Sequence, residues 1–186
     1  ATAKDGSGVK ASCKITVRQP VTKITLSKTS ASILKGKTVT LKATAAPASA
    51  NNKAVTWTTS NKKVATVTSK GVVKGIAKGT ATITAMAKDG SRVKATCKIT
   101  VKQPVTSLKI NETKLTVKAG KTAALKVTVA PSNANNKSLR WTSSNQKIAT
   151  VTQNGVVKGV RRGTATITAA AKDGSGKKVT CKVTVQ

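Results

Sequence analysis

The sequence predicts an all-β chain built from tandem two-sheet sandwiches. Three observations lead there. Val, Ile, Leu and Ala alternate with Thr and Lys over many short segments, the period-two pattern of half-buried strands. Gly, Pro and Asn interrupt these segments at intervals of about 8 to 12 residues, the spacing of antiparallel sandwiches. The whole pattern recurs at a fixed offset of 84 residues.

That offset sets the domain organisation. Cys13, Cys97 and Cys181 stand 84 residues apart, and the same step carries Trp57 to Trp141 and Pro47 to Pro131. It also carries Lys88-Asp89-Gly90-Ser91 to Lys172-Asp173-Gly174-Ser175. Residues 20–101 align without a gap on 104–185, with 48 of 82 positions identical. A unit of this length exceeds a solenoid repeat of about 20 to 45 residues and suits a domain with its own core. We therefore expect one repeat over 19–102, a second over 103–186, and in residues 1–18 the closing hairpin of an incomplete preceding repeat. The joints Gln19-Pro20-Val21-Thr22 and Gln103-Pro104-Val105-Thr106 are short, and proline fixes φ there, so limited bending is expected.

The second copy shows the elements in order. A first strand split into 105–110 and 114–118 precedes segments 122–129, 138–143, 147–152, 156–160, 164–171 and 177–185. In 122–129, Ala123, Leu125, Val127 and Val129 share one face while Lys126 and Thr128 share the other. In the last strand Val179, Cys181, Val183 and Val185 point inward. Asn154-Gly155 and Asp173-Gly174 are hairpin turns. Residues 1–18 contribute the turn Asp5-Gly6-Ser7-Gly8 and a strand from Val9 to Val17, a hairpin that is marginal in isolation.

The runs Leu139-Arg140-Trp141-Thr142-Ser143-Ser144-Asn145, Ile148-Ala149-Thr150-Val151, Asn154-Gly155-Val156-Val157-Lys158-Gly159 and Gly163-Thr164-Ala165-Thr166-Ile167-Thr168 resemble the bacterial Ig-like domain family, group 2. The first copy repeats them from Val55 to Thr84. The resemblance implies tandem immunoglobulin-like β-sandwiches of the intimin/invasin-like kind. It also implies an extracellular setting on the bacterial cell surface and a stalk, spacer or adhesive role. Fold fixes architecture more firmly than ligand.

Composition narrows the function classes. The 186 residues hold 35 Lys plus Arg against 4 Asp plus Glu, a net charge of +31, with no His, Phe or Tyr and two Trp. High charge with few aromatics is also the signature of disorder, but regular alternation over many segments argues for folding. No apolar run reaches the roughly 18 to 20 residues of a membrane span, and residues 1–17 lack the features of a signal peptide, so any targeting or anchoring segment is expected outside this window. Without His, a Ser/His/Asp triad and a His-based metal site are unavailable. The few acids offer no calcium cage, and the nearest approach to a carboxylate pair, Glu112 and Asp173, occurs in one copy only, so neither catalysis, metal nor cofactor is expected.

Charge instead suggests polyanions. Lys94, Lys98 and Lys102 alternate outward on the last strand of the first copy, and Lys178 and Lys182 repeat them in the second. With Arg161 and Arg162 they are the candidate contacts for teichoic acid, sulfated or sialylated glycans of wall or host. The plain alternative is a solvated face, or an edge strand protected by lysine. Sequence-specific nucleic acid reading is disfavoured, because stacking aromatics are missing. Trp57, Trp141, Cys97 and Cys181 are expected in the core. Cys13, in the incomplete repeat, is the exception that could pair between chains, and the same hairpin could complete a sandwich with another molecule and build filaments.

Overall fold

The structure is a computed structural model that describes residues 1–186. All its regular elements are strands. The first copy contains β1 (Lys23–Leu26), β2 (Ser30–Leu34), β3 (Thr38–Thr40), β4 (Ala43–Ala46), β5 (Val55–Thr59), β6 (Ala65–Val67), β7 (Val72–Gly75), β8 (Gly79–Ala87) and β9 (Lys94–Lys102). The second repeats them as β10 (Ser107–Ile110), β11 (Lys114–Val117), β12 (Thr122–Ala124), β13 (Val127–Ala130), β14 (Leu139–Ser143), β15 (Ala149–Val151), β16 (Val156–Gly159), β17 (Gly163–Ala171) and β18 (Lys178–Val185).

Each copy is a sandwich. One layer orders its strands β2-β9-β8-β5, and the facing layer holds β3-β7-β6 together with the pair β1-β4. The second copy matches it with β11-β18-β17-β14 facing β12-β16-β15 and β10-β13. All pairs are antiparallel except β2 with β9 and β11 with β18, which are parallel. That exception follows from the split first strand. Its first half pairs with β4 in one layer, and after a short break its second half lies beside the last strand of the other.

The long hairpin β8–β9 organises the interior. Ala81, Ile83, Ala85 and Ala87 of β8 and Cys97, Ile99 and Val101 of β9 all point inward. They meet Ile24, Leu26, Leu41, Ala65 and Val73 from the opposite layer. A second, separate core gathers Ile110, Leu125, Val157, Ile167, Cys181 and Val183. No polar or charged residue is buried in either, so neither core leaves an orphaned hydrogen-bonding group.

The segment expected as one strand over 122–129 is broken at Leu125 and Lys126. Pairing decides this: β12 bonds to β16, whereas β13 bonds to β10. At the corner Leu125 N–H donates to Gly155 O at 2.9 Å and Lys126 N–H to Asn111 Oδ1 at 2.7 Å. The Leu125 side chain, 2% exposed, plugs the bend. Alternation continues across it, so the inward set read from sequence keeps its face. Gly155 has φ +81°, and a Cβ there would stand 2.5 Å from Leu125 O and 2.9 Å from the Trp141 ring. Only glycine lets the Asn154-Gly155 turn close over the indole.

In residues 1–18 the expected hairpin forms only beside its turn, where Ala3 N–H donates to Val9 O at 2.8 Å and Ala11 N–H to Ala1 O at 3.0 Å. Apart from a single bridge between Thr2 and Lys10, no strand forms over Val9–Val17. The equivalent strand in a complete copy lies between two neighbours, and here none flanks it. Ile15 and Val17 are 83% and 87% exposed as a result.

Separate cores predict separate energetics. Ile83 is fully buried, and Ile83→Ala should cost about 2–5 kcal/mol through lost burial and a cavity. Differential scanning calorimetry should show the first copy's transition lowered and the second's kept. A uniform shift of all the unfolding heat would contradict independence.

Candidate functional site

Charge is displayed by the outward half of the long hairpins. Lys94, Lys98 and Lys102 are exposed on β9, and Lys178 and Lys182 on β18, alternating with the buried Cys97, Ile99, Val101, Cys181 and Val183. Lysines four apart on a strand stand about 13 Å from one another. Between them the sheet offers hydroxyls: Thr82 and Ser30 flank Lys98, while Thr84 faces Thr96. In the second copy Lys114 of β11 lies directly beside Lys182, a like-charge neighbour that the linear sequence does not reveal.

The structure overturns the edge-strand reading of these lysines. β9 is flanked by β2 and β8, and β18 by β11 and β17. Their backbones are already paired, so the lysines guard no open edge. Arg161 and Arg162 occupy the exposed turn between β16 and β17, whereas Lys178 opens β18 at the far end of the same hairpin. These charges form a spread surface and do not converge on a pocket. No cluster of three His, Cys, Asp or Glu side chains exists that could hold a metal ion. No helix is long and apolar enough to cross a membrane.

Cys97 and Cys181 are fully buried, and desolvation pushes both thiols above their ordinary pKa. Lys28 opposes that shift at Cys97, while Glu112 adds to it at Cys181. Cys13 is exposed. The two tryptophans are not equivalent. Trp141 is 6% exposed, but Trp57 packs against the first core only in part.

The joints contain functional groups that sequence reasoning passed over. Gln103 N–H donates to Asn135 Oδ1 at 2.7 Å, Asn135 N–H returns a bond to Gln103 O at 3.0 Å, and Val105 N–H donates to Asp173 Oδ2 at 2.6 Å. The first joint repeats this with Gln19, Asn51, Val21 and Asp89. Each aspartate also accepts from the N–H of the serine two residues on. One carboxylate therefore ties the β-hairpin tip to the entering chain. The repeated Asn-Asn-Lys and Lys-Asp-Gly-Ser motifs were visible, but their partners lie 32 and 68 residues away. The copies also touch directly: Lys78 Nζ donates to Asn133 O at 3.2 Å, and the Leu34 side chain approaches Gly174.

A family model described as bacterial Ig-like domain (group 2) matches residues 20–99 and again 104–183. The chain belongs to this family. An uncharacterized protein of Clostridium acetobutylicum is 34% identical over 164 residues, covering 88% of this Ig-like chain and 17% of that protein. An Ig-like virion protein of Serratia phage KSP90 is 33% identical over 170 residues, covering 89% of this chain and 66% of the phage protein. The chain thus spans only part of each relative. Among solved structures, a C-terminal 282-residue fragment of intimin in complex with an intimin-binding domain of its receptor aligns over 90% of this chain and 65% of its own. The TM-score is 0.52 at 18% identity, a likeness of fold.

The aspartates are expected to make the Ig-like modules acid-sensitive. Hydrogen bonds from Ser91 and from Val21 N–H hold the Asp89 carboxyl below its ordinary range. At Asp173 partial burial pulls upward, but bonds from Ser175 and Val105 N–H outweigh it and the net shift is down. A carboxylate with a lowered folded pKa stabilises the fold above its unfolded value of about 3.9 and loses that contribution as pH falls through the folded value. Thermal midpoints should hold near neutrality and fall below about pH 4. The pair Asp89→Asn and Asp173→Asn should flatten that decline in a pH series of melts. An unchanged acid limb would show that these groups do not carry it.

Proposed function

We propose that the chain is a non-enzymatic stretch of a stalk or spacer array on the outer surface of a bacterium, with modules spanning 19–102 and 103–186. The joint is the observation that supports this most. Asn135 and Asp173 grip the entering backbone, and Leu34 and Lys78 of one module reach the next. A spacer transmits position only if its hinges resist bending, and the contacts between the two modules at the 103–106 joint supply that resistance. Family membership and kinship with an Ig-like virion protein support a structural role.

Small-angle scattering tests the joint. The native chain should fit one fixed arrangement of its two modules, and Asn135→Ala combined with Leu34→Ser should require an ensemble with a broader distance distribution. Equal flexibility in both would remove the spacer argument. The same series across concentrations reads self-association through residues 1–18, whose exposed Ile15 and Val17 are free to pair with a second chain. A constant molecular mass would exclude it.

A second reading rests on the charge. With +31 overall and lysines repeating along two sheet faces, the modules suit flexible anionic polymers such as teichoic acid or sulfated and sialylated glycans, held by counterion release. Retention on immobilised heparin should be tight in dilute buffer and decline steeply as salt rises. Lys94, Lys98, Lys102, Lys178 and Lys182, with Arg161 and Arg162, are the contacts to neutralise. Free passage in dilute buffer would eliminate this reading.

A further inference from the structure

Trp57 differs from its counterpart in a way that points to a ligand. It lies on β5, the edge of the four-stranded sheet, and its ring is backed by Gly71, where a Cβ would stand 3.0 Å from Trp57 Cζ2. Two surface grooves meet at this indole. One, of about 460 Å³, is lined by Trp57, Thr58, Thr59, Lys62, Thr66 and Val67. The other, of about 490 Å³, includes Ala43, Thr44, Val55, Lys42 and Lys70. Both fall within the range of about 300–1,000 Å³ of small-molecule sites.

No such groove opens beside Trp141. Several substitutions between the copies fall on the linings of these grooves. Ala43 and Val55 become Val127 and Leu139, larger side chains that pack against the second core. Lys62 becomes Gln146 and Lys70 becomes Asn154. Two of the three lysines around the indole are thus absent from the copy in which it is buried. The open indole and the full set of three lysines therefore occur together in the first copy, and the second copy has neither.

A half-buried indole offers an apolar face, threonine hydroxyls offer hydrogen bonds, and ammonium groups on both sides offer charge. An acidic sugar ring needs all three: its C–H face stacks on the aromatic, its hydroxyls bond, and its carboxylate or sulfate pairs with lysine. A polyphosphate or polyol phosphate would use only the charges. We propose that the first module carries a subsite for an acidic polysaccharide, with one pyranose ring seated on Trp57 between Lys62 and Lys70. This deepens the polyanion reading and rests on it.

Incorporating 5-fluorotryptophan gives the intact chain one fluorine resonance for each tryptophan, assigned with Trp57→Phe. Titration with oligogalacturonate should shift the Trp57 resonance saturably and leave that of Trp141 in place. Polyphosphate of equal charge should bind without moving Trp57. Lys62→Gln with Lys70→Asn, the residues found in the second copy, should weaken the Trp57-detected affinity about tenfold, a loss of about 1.4 kcal/mol, while heparin retention persists. An unmoved Trp57, or an equal response to polyphosphate, would overturn the subsite yet leave charge-based retention standing. Failure of retention in dilute buffer would remove the broader reading as well.

Discussion

Burial of the inward half of one long hairpin per module is the constraint on which the rest depends. In β8–β9, Ala81, Ile83, Ala85, Cys97, Ile99 and Val101 are at most 2% exposed, and every other strand packs against or pairs beside them. Strand geometry then leaves the intervening residues no choice but to face water. The outward threonines and lysines are the complement of the core, and a lysine stripe is the form that complement takes in this chain. Cys97 and Cys181 follow the same rule: sited between Ala95 and Ile99 and between Val179 and Val183 on the inward phase, they are sealed and their thiols pushed toward inertness.

Scarcity of acid gives the few carboxylates structural weight. In a chain of +31, Asp89 and Asp173 are held by backbone N–H and serine groups in tight turns. Charge-assisted bonds of this kind are stronger than neutral ones, and here they join the hairpin tip to the segment leaving the joint proline. The feature that makes each module a closed unit thereby also fixes how the next chain segment enters it.

Against this shared scaffold the copies differ at 34 of 82 aligned positions, some of them around the tryptophan. Where Ala43, Val55, Lys62 and Lys70 stand in one, Val127, Leu139, Gln146 and Asn154 stand in the other, and the tryptophan passes from half-open to sealed. The difference is invisible to a fold comparison because the strands and their register are the same.

Much of this was legible from the residues alone. Period-two alternation names the strands and their inward faces because successive Cβ atoms must point to opposite sides, and the fixed offset reveals two copies because no insertion disturbs it. Alternation is silent about neighbours. It could not tell that β9 lies inside its sheet, that the 122–129 segment changes partners at Leu125, that Lys114 stands beside Lys182, or that Asp173 reaches Val105 across 68 residues. Which way a side chain points is a local property of the backbone. What it meets there is settled only when distant strands have been brought together.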